Sequence, residues 1–338
     1  MAVNEQNVMT SHNLLNYSGL LYMKGQADTP FLSMMSGRNR TANSWEFATS
    51  LGYTPETANA QPAITETQSL TAPTPTHITR QQNINYCQIF HEAVAISYGK
   101  QSSMGQLSGL NIAGQTANPA NELDFQVANK MLTMRNKVEY SFINGVAAKG
   151  THDDVAYKTG GLSSVITTNT KAAGSKPLTY WAVAEMLDTI AKAGGDPNNL
   201  IIMAQMTHLL QLNADVKAQG LTIVPGDRTV AGIAVSYLMT PTGSIGFVAN
   251  RHVKAGEALF VNAPICSPVE LPVPGKGNMF LEPLAKKGAA DEYQLYGQMG
   301  LDYGAEWYHG KMTGLATTFT APDYAMKVYQ VNGTGATT

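Results

Sequence analysis

His91 and Glu92 open the run His-Glu-Ala-Val-Ala over 91–95. A zinc protease sets a second histidine four residues after the first on a helix, so that both imidazoles face one metal and the glutamate acts as base. Here position 95 is alanine, and the run lies in an alternating pattern that turns Glu92 away from His91. His77, Cys87 and His91 match no zinc-site spacing. Thr151-His152-Asp153-Asp154 has the composition of a turn after a helix stop. PGKG at 274–277 and GTG at 333–335 lack the strand-to-helix setting of a phosphate loop, and GGLSSV at 160–165 lacks the spacing of a nucleophile elbow. The pairs Asp153/Asp154 and Asp291/Glu292 are neighbours on polar stretches, where solvation accounts for them better than acid–base work. The sequence therefore offers no catalytic residue, no cofactor-binding residue and no metal site.

The elements around these residues belong to a chain that is long but poor in charge. It has 338 residues, 14% of them charged, a net charge of -2, and 31 glycines with 16 prolines. An ordinary soluble domain carries roughly 25% charged residues. So few solvating groups point to surface hidden against other chains, while 43% hydrophobic residues argue against disorder. The near-neutral balance gives no footprint for tight DNA or anionic-membrane binding. The longest apolar runs, such as LIIMA at 200–204, are far too short to span a bilayer. Cys87 and Cys266 read as small buried hydrophobes in a reducing compartment, and the start of the chain lacks the look of a signal peptide. The expectation is a soluble protein made in the cytosol.

Residues 1–43 are polar with one apolar patch at Leu20–Met23, and read as an extended arm that must lie on something else. Trp45, Phe47, Leu51 and Tyr53 fall on one face of a strand over 44–53. A loop with prolines at 55, 62, 73 and 75 separates it from a second strand over 80–98, in which Ile84, Tyr86, Phe90, Val94 and Ile96 share a face. Together they predict a projecting hairpin that needs a surface to rest on. Asn118-Pro119 caps a long helix with Leu123, Val127, Met131, Met134 and Val138 at helical spacing, stopped by Asn144-Gly145. A short strand follows at Leu162–Thr167. Thr179 caps a helix carrying Val183, Met186, Leu187 and Ile190; then come a strand at Leu200–Ala204, a helix at Met206–Asn213, and strands at Thr229–Tyr237 and Ser244–Asn250 about a Pro-Thr-Gly turn. Residues 293–308 alternate strictly, with Tyr293, Leu295, Met299, Leu301, Tyr303 and Trp307 on one side and Gln294, Gln298, Asp302 and Glu306 on the other. The pattern is α+β.

This order of parts resembles the major capsid proteins of tailed bacteriophages with the HK97-type fold, and more closely their SU10-like branch. The residues that carry the resemblance are RQQNINYCQIFHEAVAIS at 80–97, ANELDFQVANKMLTMRNKVEYSFINGVA at 120–147 and GGLSSVITTN at 160–169. TPTGSIGFVANRHV at 240–253, with its Asn250-Arg251 step, and LEPLAKKGAADEYQLYGQMGLDYGAEWYHGKMTGL at 281–315 extend it.

The resemblance implies an α+β, HK97-like capsid fold. Residues 1–43 would be an N-terminal arm, 44–98 the E-loop hairpin, and 99–177 a peripheral domain with a spine helix at about 119–144. Residues 178–280 would form the axial domain, 281–318 would return to the peripheral domain, and 319–338 would be a C-terminal tail. The implied function is a subunit that self-assembles as pentamers and hexamers into an icosahedral head around viral DNA, with no enzymatic activity and no cofactor. Trp45, Phe47, Tyr53, Arg80, Tyr86, Phe90 and Arg251 are the expected contacts between subunits. Implied partners are further copies of the chain, portal, scaffold and decoration proteins, and weakly held DNA, in the virion shell and with no membrane. Two rival readings are an encapsulin-type compartment shell and an α+β enzyme with a dimerising hairpin, which would have a deep pocket within 178–280.

Overall fold

A computed structural model describes residues 28–53, 61, 63–73, 75, 77–102, 122–219, 229–230, 233–234, 236–240, 243–286 and 288–319. The Leu20–Met23 patch, the Asn118-Pro119 cap, positions 241 and 242 of the Pro-Thr-Gly turn and the 320–338 tail lie outside them.

The described chain opens with a short helix α1 (Pro30–Met34) and strand β1 (Arg40–Thr41). Then follow β2 (Glu46–Tyr53), a one-turn helix α2 (Glu66–Ser69), β3 (Arg80–Tyr86), β4 (Gln88–Ser97) and α3 (Tyr98–Ser102). The long helix α4 (Glu122–Asn144) runs for 23 residues. At a rise of about 1.5 Å per residue it is roughly 35 Å long. Gly161 leads into α5 (Leu162–Val165), and β5 (Thr170–Ala172), α6 (Tyr180–Lys192), β6 (Leu200–Ala204) and α7 (Met206–Ala218) come next. The rest is strand: β7 (Thr229–Val230), β8 (Ile233–Ala234), β9 (Ser236–Thr240), β10 (Gly243–Ala249), β11 (Ala258–Asn262), β12 (Ser267–Glu270), β13 (Met279–Pro283), β14 (Ala290–Asp302) and β15 (Gly310–Thr313).

The axis of the first layer is β14. On one edge it pairs antiparallel with β4 from Ala290↔Ser97 to Met299↔Gln88. On the other it pairs with β13 and then β12, and β1 adds in parallel beyond β12. Helix α4 lies across this sheet through Met134, Val138 and Phe142, spaced at four residues and all buried with Phe90, Leu295 and Leu301. The apolar stripe expected along the helix is buried only toward its C-terminal end, since Met131 is exposed.

The second layer is a six-stranded sheet in the order β5-β15-β11-β6-β10-β9. Its backing helix α6 starts where the Thr179 hydroxyl accepts the Ala182 N–H, and it buries Val183, Met186, Leu187 and Ile190 as the spacing predicts. Strand β11 is buried at all five positions: Leu259 and Val261 face the α4 core, while Ala258 and Phe260 face the core under α6 and α7. The two layers thus share a wall. Because β5 and β15 join this sheet, its topology crosses the boundaries expected near 177 and 280.

The single strand expected at Thr229–Tyr237 divides into β7, β8 and the start of β9, with β7 pairing back on β8, and four further expectations differ from the structure. The strand expected over 80–98 divides at Cys87: β3 pairs with β2, whereas β4 passes to β14. Residues 162–165 form helical turn α5 rather than strand, because Gly161 is extended and the next residues bond back onto it. Strand β14 stops at Asp302, whose carboxylate accepts the Gly304 N–H as Gly304 takes φ +65°. Trp307 therefore sits in a 3-10 turn (Glu306–Tyr308), and Asp302, expected on a polar outer face, is buried against Arg40. Finally, residues 30–35 of the expected arm pack into the chain's own core, with Phe31 and Met35 fully buried.

His309 staples the two layers. Its Nδ1 accepts the Asn262 N–H at 3.1 Å and its Nε2 donates to the Tyr303 carbonyl at 2.7 Å. One ring nitrogen accepting and the other donating fixes the neutral tautomer. Burial pushes its pKa down to about 4 from 6.5. The unfolded chain therefore binds more protons between those values, so stability is lost as pH falls from 6.5 toward 4. We expect this site to remove on the order of 3 kcal/mol over that window. Denaturant unfolding of wild type and His309→Gln across pH 4–7 measures it: the wild-type slope should be the steeper, and equal slopes would refute the assignment.

Candidate assembly surface

The β2–β3 hairpin stands on a base fixed by one buried amide. The Asn85 side chain donates to the Leu301 carbonyl at 2.7 Å and the Gly160 carbonyl at 3.1 Å, with Thr159 Oγ1 a weaker third acceptor at 3.3 Å. Its oxygen accepts the N–H groups of Gly160 at 2.7 Å and Tyr86 at 2.9 Å. Thr159 Oγ1 also accepts the Leu301 N–H. One residue thus ties the hairpin to β14 and to the turn before α5.

Aromatic rings widen that base. Trp45 stacks on Tyr157 with ring centroids 5.4 Å apart and planes 15° from parallel. Tyr86 leans on the same ring at 5.8 Å. Both are favourable ring geometries beyond the area they bury. Phe47 and the Tyr86 carbonyl sit on Gly300, where a Cβ would come within 2.7 Å of each. Glu46 pairs with Lys149 at 2.7 Å on the outside. Above the base, the register slips between Ala48 and Ser50, leaving Thr49 as a bulge. Beyond it the ribbon exposes Tyr53, with Ile78 exposed just before β3, and below it Ile84, opposite Ala48, is also exposed. Across the loop, expected to be irregular, Thr65 and Gln68 form a reciprocal capping box that starts α2. Ile64 and Leu70 flank that turn at 71% and 84% exposure, so the tip carries apolar side chains that its own chain leaves bare.

The expected contact residues separate into three groups. Tyr53, Arg80 and Arg251 are exposed and available to a partner. Trp45, Phe47 and Tyr86 are half-buried, each with a ring or glycine of its own chain against one side. Phe90 is buried in the α4 core at 4% exposure and cannot reach a neighbour, because β4 belongs to the β14 sheet and not to the hairpin. Sequence reasoning passed over Ile64, Leu70 and Trp181, the last 70% exposed at the start of α6. The Thr65-x-x-Gln68 spacing was the available signal for the tip helix.

A second anchor holds residues 28–43. Glu139 on α4 is fully buried and accepts the N–H groups of Phe31 at 2.9 Å and Leu32 at 2.7 Å, and the Asn250 amide at 2.7 Å. Burial raises its pKa above the usual carboxylate value, against the pull of those three hydrogen bonds. In the Asn250-Arg251 step the asparagine therefore does the internal work and the arginine is exposed. Farther on, Arg38 bonds the carbonyls of Met34 and Ala263, and Arg40 pairs with Asp302 at 2.5 Å.

The motifs weighed for chemistry have structural partners. Glu92 pairs with Lys130 and Lys137 of α4, and His91 reaches Gln294 at 3.3 Å across the sheet. Cys87 is buried beside Ala42 and Val269, and residues 152–155 form a turn. A cavity of about 620 Å³ is lined by Arg38, Arg40, Ser267, Asp302 and Tyr308 among others, with its guanidinium groups bonded as above. Among the described residues no cluster of three or more His, Cys, Asp or Glu could hold a metal ion, and no helix is long and apolar enough to cross a membrane.

A long helix across a sheet, a projecting hairpin and a second mixed sheet make an architecture that recurs in solved shell proteins. The cyanophage A-1(L) capsid aligns with a TM-score of 0.59 at 10% identity, covering 92% of this chain and 99% of that one. The capsid of Myoviridae phage XM1 gives 0.56 at 13%, covering 88% and 96%. The holo-SrpI encapsulin complex from Synechococcus elongatus PCC 7942 gives 0.56 at 9%, covering 89% and 95%. These likenesses show the HK97-like fold and do not by themselves separate virus from compartment. No curated protein matches in sequence. The family model of the SU10 major capsid protein matches residues 4–316, so the chain belongs to that family, whose members are phage capsid shell proteins.

Replacing Asn85 with alanine strands the Gly160 and Tyr86 N–H groups. The cost to the hairpin base is about 1–3 kcal/mol. Tryptic cleavage at Arg80 should speed up about tenfold in Asn85→Ala while the thermal transition of the whole subunit stays cooperative. An unchanged cleavage rate would refute the anchoring role.

Proposed function

We propose that this chain self-assembles as pentamers and hexamers into the icosahedral head that encloses the viral DNA. The observation that carries the reading is the hairpin tip, where Tyr53 at the end of a two-stranded ribbon and Ile64, Leu70 and Ile78 on the connection between its strands are more than half exposed. A lone hairpin is marginal in water, and apolar area gains about 25 cal/mol per Å² when it is covered. Repeated at every subunit of a shell, even a modest contact becomes a large total.

In this reading the hairpin is the E-loop, resting on a neighbouring subunit through Tyr53 and Arg80. The layer of α4 and β14 is the peripheral domain, and the six-stranded sheet with α6 and α7 is the axial domain around five- and six-fold centres. Arg251 faces an adjoining copy. Portal, scaffold and decoration proteins are further partners, and contact with DNA is weak and non-specific, in keeping with a net charge of -2. The subunit is made in the host cytoplasm and performs no catalysis.

Electron microscopy of the purified chain, alone and co-expressed with its neighbouring gene products, tests this. Closed shells, rings or sheets with five- and six-fold units are expected, with nuclease-protected DNA in native particles. A monodisperse dimer or tetramer under every condition would overturn the proposal, and shells holding protein cargo but no DNA would favour a compartment.

A further inference from the structure

Above the Thr49 bulge the hairpin comes down on the body of the chain at Gly52. Gly52 lies over the indole of Trp307 so tightly that a Cβ there would stand 2.6 Å from Trp307 Cη2 and 3.4 Å from Cζ3. The rest of that interface is open. A cleft of about 500 Å³ runs between Ser50, Tyr53, Ile78 and Asn83 on the hairpin and Ala193 and Gly194 at the end of α6. Ser50 Oγ is buried there without a partner.

Trp307, in contrast, has a well-held backbone beneath a half-buried ring. Its carbonyl accepts the Asn169 amide at 2.8 Å, and Gly195 lies so close that a Cβ would be 2.8 Å from that same oxygen. The preceding Glu306 carboxylate caps the loop before β5 by accepting the N–H groups of Thr167 at 3.2 Å and Thr168 at 3.3 Å. A bulged ribbon can pivot at its extra residue. Its lower half is pinned by Asn85 and Phe47, and its upper half meets the Trp307 indole.

We propose that Trp307 and Gly52 are a positioning pair that sets the angle at which the hairpin leaves the subunit, and through it the curvature at which copies join. This rests on the reading of the hairpin as the inter-subunit contact. The residue types fit the task. Gly52 has ordinary strand dihedrals, so glycine is required there by the indole alone and not by the backbone. An added methyl group must lift the ribbon off Trp307 or turn the indole aside, and either shift changes how the two surfaces meet. A shift at Gly52 is then carried outward to the tip that bears Ile64 and Leu70.

The test compares shells from wild type, Gly52→Ala, Trp307→Ala and the double variant, by electron microscopy and sedimentation. Wild-type shells are the first condition: their absence would strike the assembly reading itself, not the pair. Given those shells, Gly52→Ala should lower the yield of particles of wild-type diameter about tenfold, with aberrant sizes in their place. In the double variant the methyl group has no ring to meet, so its yield should equal that of Trp307→Ala alone. Circular dichroism melting separates shape from folding, since Gly52→Ala is expected to keep the wild-type midpoint within a few degrees. Normal yield and diameter in Gly52→Ala would overturn the proposal, as would additive losses in the double variant.

Discussion

The hairpin can project only because a buried amide holds its foot. Asn85 is 1% exposed, and its polar atoms meet backbone groups from three separate stretches of chain at 2.7–3.1 Å. A buried amide that is fully bonded locks its surroundings, and one that is partly bonded is costly. That constraint ties the foot of the ribbon to β14 and to the turn before α5. Gly161 is packed so closely that a Cβ would lie 2.6 Å from the Ser141 carbonyl at the end of α4. The spine helix, the central strand and the hairpin meet at this knot.

The remainder divides into a stiff body and an uncovered edge. Two cores share the doubly buried β11, so the α4 layer and the six-stranded sheet behave as one packed unit, with His309 bridging the ends of β11 and β14. Residues 28–43 are sewn onto this unit by Glu139 and Asp302, two carboxylates of low exposure whose partners are backbone N–H groups and an arginine. Against this frame Ile64 and Leu70 of the hairpin tip and Trp181 of α6 stay 70% or more exposed.

Much of this was legible in the sequence. Thr179 and the 183, 186, 187, 190 spacing specify α6 because a cap and a period-3.6 stripe act locally. The alternation expected over 293–308 finds most of β14, as far as Asp302, for a similar reason. What stayed hidden depends on partners. Alternation runs unbroken through Cys87, since it records which face a side chain takes and not which strand lies alongside, so the division of β3 from β4 has no local trace. The end of β14 turns on Gly304, whose left-handed φ cannot be told in the sequence from the backbone of a strand glycine such as Gly297 or Gly300. Residues 30–35 read as arm because their burial rests on backbone bonds to a glutamate more than 100 positions away. Among the expected contacts, Phe90 carries the wrong role for the same reason that β4 does.

The central claim is that the frame is complete in one subunit while the hairpin finds its cover on another. Amide hydrogen exchange, followed by mass spectrometry on dissociated subunits and on intact shells, tests it most directly. The account predicts that residues 46–53, 63–73 and 80–86 gain strong protection on assembly, while 130–144 and 258–262 are equally protected in both states. Equal exchange of the hairpin in the two states, or a spine helix that becomes protected only in the shell, would contradict it.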